Sequence, residues 1–182
     1  MRTLTPTDYF DAALDLLGES GAESLTLAAL CERVGVTKGS FYHHFESMPS
    51  FHERVLAYFA NDGLDAAVRQ AMAVTDARQR LAVLRHLGVA AAHETEVAVR
   101  AWATWYEPAA HAHRRIEQRR RSVLVTTFLE LGISPSQATL LARIGTALMM
   151  GMQSDGSRVD RAALDEVLTE YQRWIEASIP AT

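Results

Sequence analysis

Apolar positions recur at helical spacing from the start of the chain: Phe10, Ala13, Leu14 and Leu17 stand at i, i+3, i+4 and i+7. Thr5, Pro6, Thr7 and Asp8 precede this stripe and supply caps, a first-turn proline and an early acid. Gly18 and Gly21 predict its end. Thr26 is placed to cap a second, short helix from Leu27 to Val34, which Gly35 stops, and Thr37 to cap a third that reaches about Phe45. Ser47, or Ser50 with Glu53 three residues on, opens a longer fourth helix containing Phe51, Val55, Leu56 and Phe59, with Pro49 in its first turn.

From Asp76 the helical pattern continues. Leu81, Leu84 and Leu87 form a stripe, a further helix runs from Val97 to Tyr106, and Pro108 interrupts it. The next helix passes through an Arg-rich stretch to Leu131-Gly132, and Ser134-Pro135 begins another that ends near Gly151 to Gly156. In the last helix Leu164, Val167, Leu168, Tyr171, Ile175 and Ser178 share a face, opposite Asp165, Glu166, Glu170 and Arg173. No segment alternates as a strand does, so the fold expected is all-α, with roughly eight or nine helices of ordinary length.

Gly35 supplies the tight corner between the second and third helices, while Leu30, Val34, Val36, Phe41 and Phe45 can form the small core that fixes their crossing. That is helix-turn-helix geometry, whose second helix enters a DNA major groove by its N-terminal residues. Lys38 can donate to guanine acceptors or phosphate, Ser40 can pair with several bases, and His43 and His44 can donate to phosphate.

Charge qualifies this reading. The chain has a net charge of -4, and all of the excess lies in residues 1–60, where Arg2, Arg33, Lys38 and Arg54 face Asp8, Asp11, Asp15, Glu19, Glu23, Glu32, Glu46 and Glu53. Non-specific attraction to DNA comes from cations at phosphates, so weak non-specific binding and reliance on two half-sites are expected. Lys38 is the sole lysine of 18 basic residues. The lone cysteine, Cys31, excludes an internal disulfide and zinc sites built on several cysteines. The segment Met1 to Asp8 lacks a signal core, and no apolar run approaches the roughly 18 residues that span a bilayer, so the expected location is the cytoplasm.

The run Thr26, Leu30, Gly35-Val36, Thr37, Gly39, Tyr42 and Phe45 resembles the N-terminal domain of TetR-type transcriptional regulators, over roughly residues 4–60. Cys31 and Val34 depart from the small residues usual there. The resemblance implies a helix-turn-helix DNA-binding domain over residues 1–48, a connecting fourth helix over about 47–72, and a helical ligand-binding and dimerisation domain over 49–182. It implies that Thr37 and Tyr42 touch phosphates, that Gly39 lets the backbone approach the duplex, and that Lys38, Ser40 and His43 lie nearest the base edges. With Thr26, Arg33 and His44 these make the candidate DNA-binding set. The expected partners are a palindromic double-stranded operator, a second copy of the chain and a small, mainly apolar effector, with no membrane and no cofactor.

Beyond residue 60 the candidates are softer. Trp102, Trp105 and Tyr106 lie close together in sequence, and Phe128, Met149, Met150 and Met152 could face them as an adaptable apolar pocket, or all could be plain core. Leu141, Ile144 and Leu148, with Gly145, Ala147 and Gly151, could pack against Leu164, Leu168, Tyr171 and Ile175 in a dimer interface, or be buried within one chain. Arg114, Arg115, Arg119, Arg120 and Arg121 with Glu117 read first as a solvated face, and otherwise as a site for an acidic ligand, an inter-helix salt bridge or a partner. His86 and His93, seven apart, could share a helix face, whereas His111 and His113 could not; with no carboxylate or thiol assigned beside them, no metal site is expected. The chain lacks a phosphate-cradling glycine loop, a Gly-x-Ser-x-Gly elbow and a His-Glu-x-x-His motif. An enzyme is therefore not expected, and the rival is a helical effector-holding or partner-binding dimer that does not touch DNA.

Overall fold

The computed structural model describes residues 4–153 and 158–180. Among the described residues ten α-helices follow one another: α1 Pro6–Ser20, α2 Leu27–Val34, α3 Lys38–His44, α4 Met48–Tyr58, α5 Leu64–Met72, α6 Ala77–Ala90, α7 His93–Trp102, α8 Glu107–Glu130, α9 Pro135–Met152 and α10 Arg161–Ala177. No strand occurs among the described residues, so the all-α expectation holds. Arg2 and Gly156 lie outside the described residues.

Local chemistry sets most boundaries. The Thr5 amide donates to the Asp8 carboxylate at 2.7 Å, and Pro6 opens α1. Thr26, Thr37 and Ser47 accept from the amides of Ala29, Ser40 and Ser50, and Asp76 and Asp160 cap α6 and α10. Gly18 does not end α1: it lies inside the helix, where Thr95 of α7 comes so near that an added Cβ would sit 3.0 Å from the Thr95 hydroxyl oxygen. Nor is the fourth helix continuous to residue 72. A π-helical turn, Phe59–Gly63, separates α4 from α5, at Asn61-Asp62-Gly63, three poor helix formers in a row.

The chain forms two compact units, one from Met1–Gly63 and Ala92–Arg114, the other from Leu64–Ala91 and Arg115–Thr182. In the first, α1 packs against α2, α4 and α7, and Tyr9, Phe10, Phe41, Phe45 and Phe51 are all buried. Phe45 and Phe51 meet edge-on at 4.8 Å between centroids. The Tyr58 hydroxyl donates to Asp11 at 3.0 Å, tying α4 to α1.

In the second unit Leu81, Phe128, Ile133, Ala138, Leu141, Ala142, Tyr171 and Ile175 form one core cluster. Met149, Leu164 and Leu168 form another. Gly145 lets Tyr171 press onto α9: a Cβ there would lie 2.9 Å from the Tyr171 ring and hydroxyl, and that hydroxyl donates to the Leu141 carbonyl. Buried Arg80 donates to the Val74 carbonyl at 3.0 Å and to Glu130 at 2.7 Å. Arg161 covers two carbonyls past the end of α6's ladder, Val89 at 2.6 Å and Ala91 at 3.0 Å.

Candidate nucleic-acid interface

The corner between α2 and α3 is fixed by Gly35 at φ 76, ψ 40. The left-handed conformation brings the amides of Gly35 and Val36 onto the Cys31 carbonyl at 2.9 Å each, a turn that a side-chain-bearing residue would strain. Val36 leads into Thr37, whose cap starts α3 with its first residues in solvent. Leu30 and Phe41, both fully buried, hold the two helices together.

Thr37, Lys38, Gly39, Tyr42 and His43 are exposed. Tyr42 is 55% exposed although aromatic, with its ring edge-on to Phe41 at 5.4 Å. A Cβ on Gly39 would meet nothing nearer than the Thr37 hydroxyl at 3.7 Å, so the backbone lies open there. Ser40 and His44 are half-buried and face inward. The Ser40 hydroxyl pairs with the hydroxyl of buried Tyr9 at 2.9 Å, and the His44 ring lies 5.4 Å from the Tyr9 ring. These interactions tie α3 to α1 and give both residues a positioning part beside the exposed set.

Two of the candidate cations are occupied within the chain. Arg33 makes a two-pronged pair with Glu19, one arm at 3.0 Å, which raises the arginine's pKa and lowers the glutamate's through the hydrogen bond itself. Arg54 lies over the Phe45 ring at 4.8 Å and donates to the His44 carbonyl at 3.2 Å. Lys38 alone combines a full charge with exposure on the α3 face among the described residues.

A second arrangement in the same unit gathers the aromatic candidates. Trp102 and Tyr106 stack at 4.9 Å with planes 13° apart. Trp105 lies 6.3 Å from Trp102 and is 68% exposed. His52 of α4, to which the sequence pattern gave no part, meets Trp102 edge-on at 5.1 Å. Phe128, Met149 and Met152 lie in the second unit, Phe128 buried with Leu81 and Ile133, and Met149 with Leu164, Leu168 and half-buried Met152.

Residues 10–54 match the family model of bacterial regulatory proteins, tetR family. The HTH-type transcriptional repressor KstR2 of Rhodococcus jostii (strain RHA1) is 34% identical over 56 residues, 31% of this chain and 28% of that protein. The HTH-type transcriptional regulator BetI of Burkholderia mallei (strain NCTC 10229) is 26% identical over 128 residues, 66% of this chain and 65% of its own. The chain thus spans less than two thirds of the length of these relatives. A transcriptional regulator from Saccharomonospora viridis, solved in complex with choline, shares the fold with a TM-score of 0.77 at 16% identity, over 92% of this chain and 95% of that one. The likeness to the TetR family thus rests on the reading head, residues 10–54.

Within this TetR-type head the two departures are accommodated differently. Cys31 is buried and burial pushes its thiol pKa up, so it packs as a small apolar side chain; Val34 is half-buried at the end of α2. Elsewhere the alternatives left by the sequence separate. Leu141, Leu164, Leu168, Tyr171 and Ile175 are buried inside a single copy, whereas Ile144 and Leu148 are half-buried and Leu140 and Trp174 are exposed. In the arginine run Arg114 pairs with Glu107 at 2.6 Å, Arg119 with Asp65 at 3.4 Å and Arg120 with Glu117 at 3.1 Å, while Arg114 and Arg119 remain exposed as a solvated face would be. His86 and His93 do not share a helix face, because the chain turns out of helix at Ala91 and Ala92 and leaves them on α6 and α7. Among the described residues no helix is long and apolar enough to cross a membrane.

Proposed function

We propose that the chain is a repressor that binds a palindromic operator as a homodimer and is released by a small, mainly apolar effector. The observation that carries this reading is the exposed face of α3, where Thr37, Lys38, Gly39, Tyr42 and His43 stand together on a helix held rigidly from behind by Tyr9 and Phe41. Thr37 and Tyr42 would take phosphates, Gly39 would admit the backbone, and Lys38 and His43 would reach base edges. Two such heads about 34 to 36 Å apart would read half-sites one DNA turn apart. Partnering through α9 and α10 would use the sides that carry Leu140, Ile144, Leu148 and Trp174, since the opposite sides are spent on the core of one copy.

Effector binding at Trp102, Trp105 and Tyr106 would lower operator affinity by the factor by which the operator lowers effector affinity. The engagement of Arg33 and Arg54 within the chain favours a second reading, an effector-holding dimer that does not bind DNA. Titration of a duplex enriched from a random pool separates the two. Lys38→Ala and Tyr42→Ala should each weaken binding by about tenfold or more. Unchanged affinity in both variants would contradict the reading head proposed here.

A further inference from the structure

Among the described residues two buried side-chain polar atoms have no hydrogen-bond partner, His52 Nε2 and Trp102 Nε1. They belong to rings that touch, with centroids 5.1 Å apart and planes at 83°, and Trp102 is only 3% exposed. A desolvated polar group left unpaired is costly, and native cores rarely leave one so. Two in one cluster mark a place where a polar group is received.

The two atoms are complementary. The Leu25 backbone favours a proton on the His52 imidazole, and with Nε2 unpartnered that proton is assigned to Nδ1. Burial holds the ring's pKa below its ordinary value, so it is neutral and Nε2 is an acceptor, while the indole Nε1–H can only donate. A carbonyl or carboxylate would satisfy Trp102 alone, and an ammonium His52 alone. A hydroxyl donates to one and accepts from the other.

We propose that His52 and Trp102 form a hydroxyl subsite that takes the alcohol group of a small effector, whose apolar remainder lies along the Trp102–Tyr106 stack towards exposed Trp105. This rests on the reading of that aromatic cluster as the effector site. It also gives the effector a route to DNA. The backbone of Leu25, the residue just before the Thr26 cap of α2, acts on the His52 ring, so a group bound at Nε2 would bear on the start of the reading head.

The test uses the full chain, three probes and the Trp102 indole N–H resonance, assigned with Trp102→Phe. Choline and 3,3-dimethyl-1-butanol both carry the hydroxyl, with and without charge, and ethyltrimethylammonium lacks it. Both alcohols should shift the resonance, and choline should bind about tenfold or more tightly than its deoxy partner, the value of one hydrogen bond to a buried group. In His52→Phe that ratio should fall several-fold, because the hydroxyl keeps only the Trp102 N–H, while binding through the aromatic faces persists. A ratio near one in the natural chain, or no shift with either alcohol, overturns the subsite; should His52→Phe not fold, these two measurements decide alone. Trp105→Ala and Tyr106→Ala, titrated with the same probes and with an apolar set lacking hydroxyls, report separately on the cluster. If they weaken the apolar set while the alcohols show no preference, only the hydroxyl subsite fails.

Discussion

Gly35 and His52 show how much a single residue contributes through backbone conformation and through desolvation. At φ 76 an alanine in place of Gly35 would adopt a left-handed conformation that costs roughly 1–2 kcal/mol, a penalty of the backbone alone. Gly35→Ala should lower the denaturant midpoint accordingly and loosen the α2–α3 corner with it. His52 acts through protons. Its folded pKa lies below the ordinary 6.5, so below that pH the unfolded chain binds more protons than the folded one and stability falls. Above it the contribution is complete. His52→Gln should flatten the slope of stability between about pH 6.5 and 5, the range in which an ordinary histidine titrates; a slope equal to that of the natural chain would contradict the buried neutral ring.

The elements of the reading head were legible because their signals are local. Thr26, Thr37 and Ser47 each cap the helix that follows within three residues, and Gly35 makes its turn with its own neighbours. What stayed hidden depends on residues far apart in the chain. Nothing in the spacing indicated that Gly18 would face Thr95, that Ser40 would pair with Tyr9, or that His52 would meet Trp102. The apolar stripe of α10 showed which side is buried but not against what, so an intrachain core and a dimer seam read alike. The same non-local pairing changes which cations are available. Arg33 is held by Glu19, so Arg33→Ala should leave the salt dependence of operator binding nearly unchanged, whereas Lys38→Ala, which removes a cation from each head of the dimer, should reduce its slope by about two where Lys38 displaces counterions. Equal slopes in the two variants would restore Arg33 to the phosphate-binding set.

For the whole molecule the weak electrostatic footing and the need for a partner belong to one argument. A reading head that spends Arg33 and Arg54 within the chain has little non-specific attraction to DNA, and two heads on one palindrome supply what one cannot. Trp174, 61% exposed on α10, and Leu140, 57% exposed on α9, lie on sides that the single copy leaves uncovered. Leu140→Glu with Trp174→Glu should convert a dimer into monomers in sedimentation without loss of helix content, and operator affinity should fall with it. The most direct test of the account is enrichment of random duplex DNA on the purified protein at two salt concentrations. A palindromic winner with half-sites one turn apart is expected, bound only modestly more weakly at the higher salt. No enriched sequence even at low salt would contradict it, and would leave the effector-holding dimer as the reading of this chain.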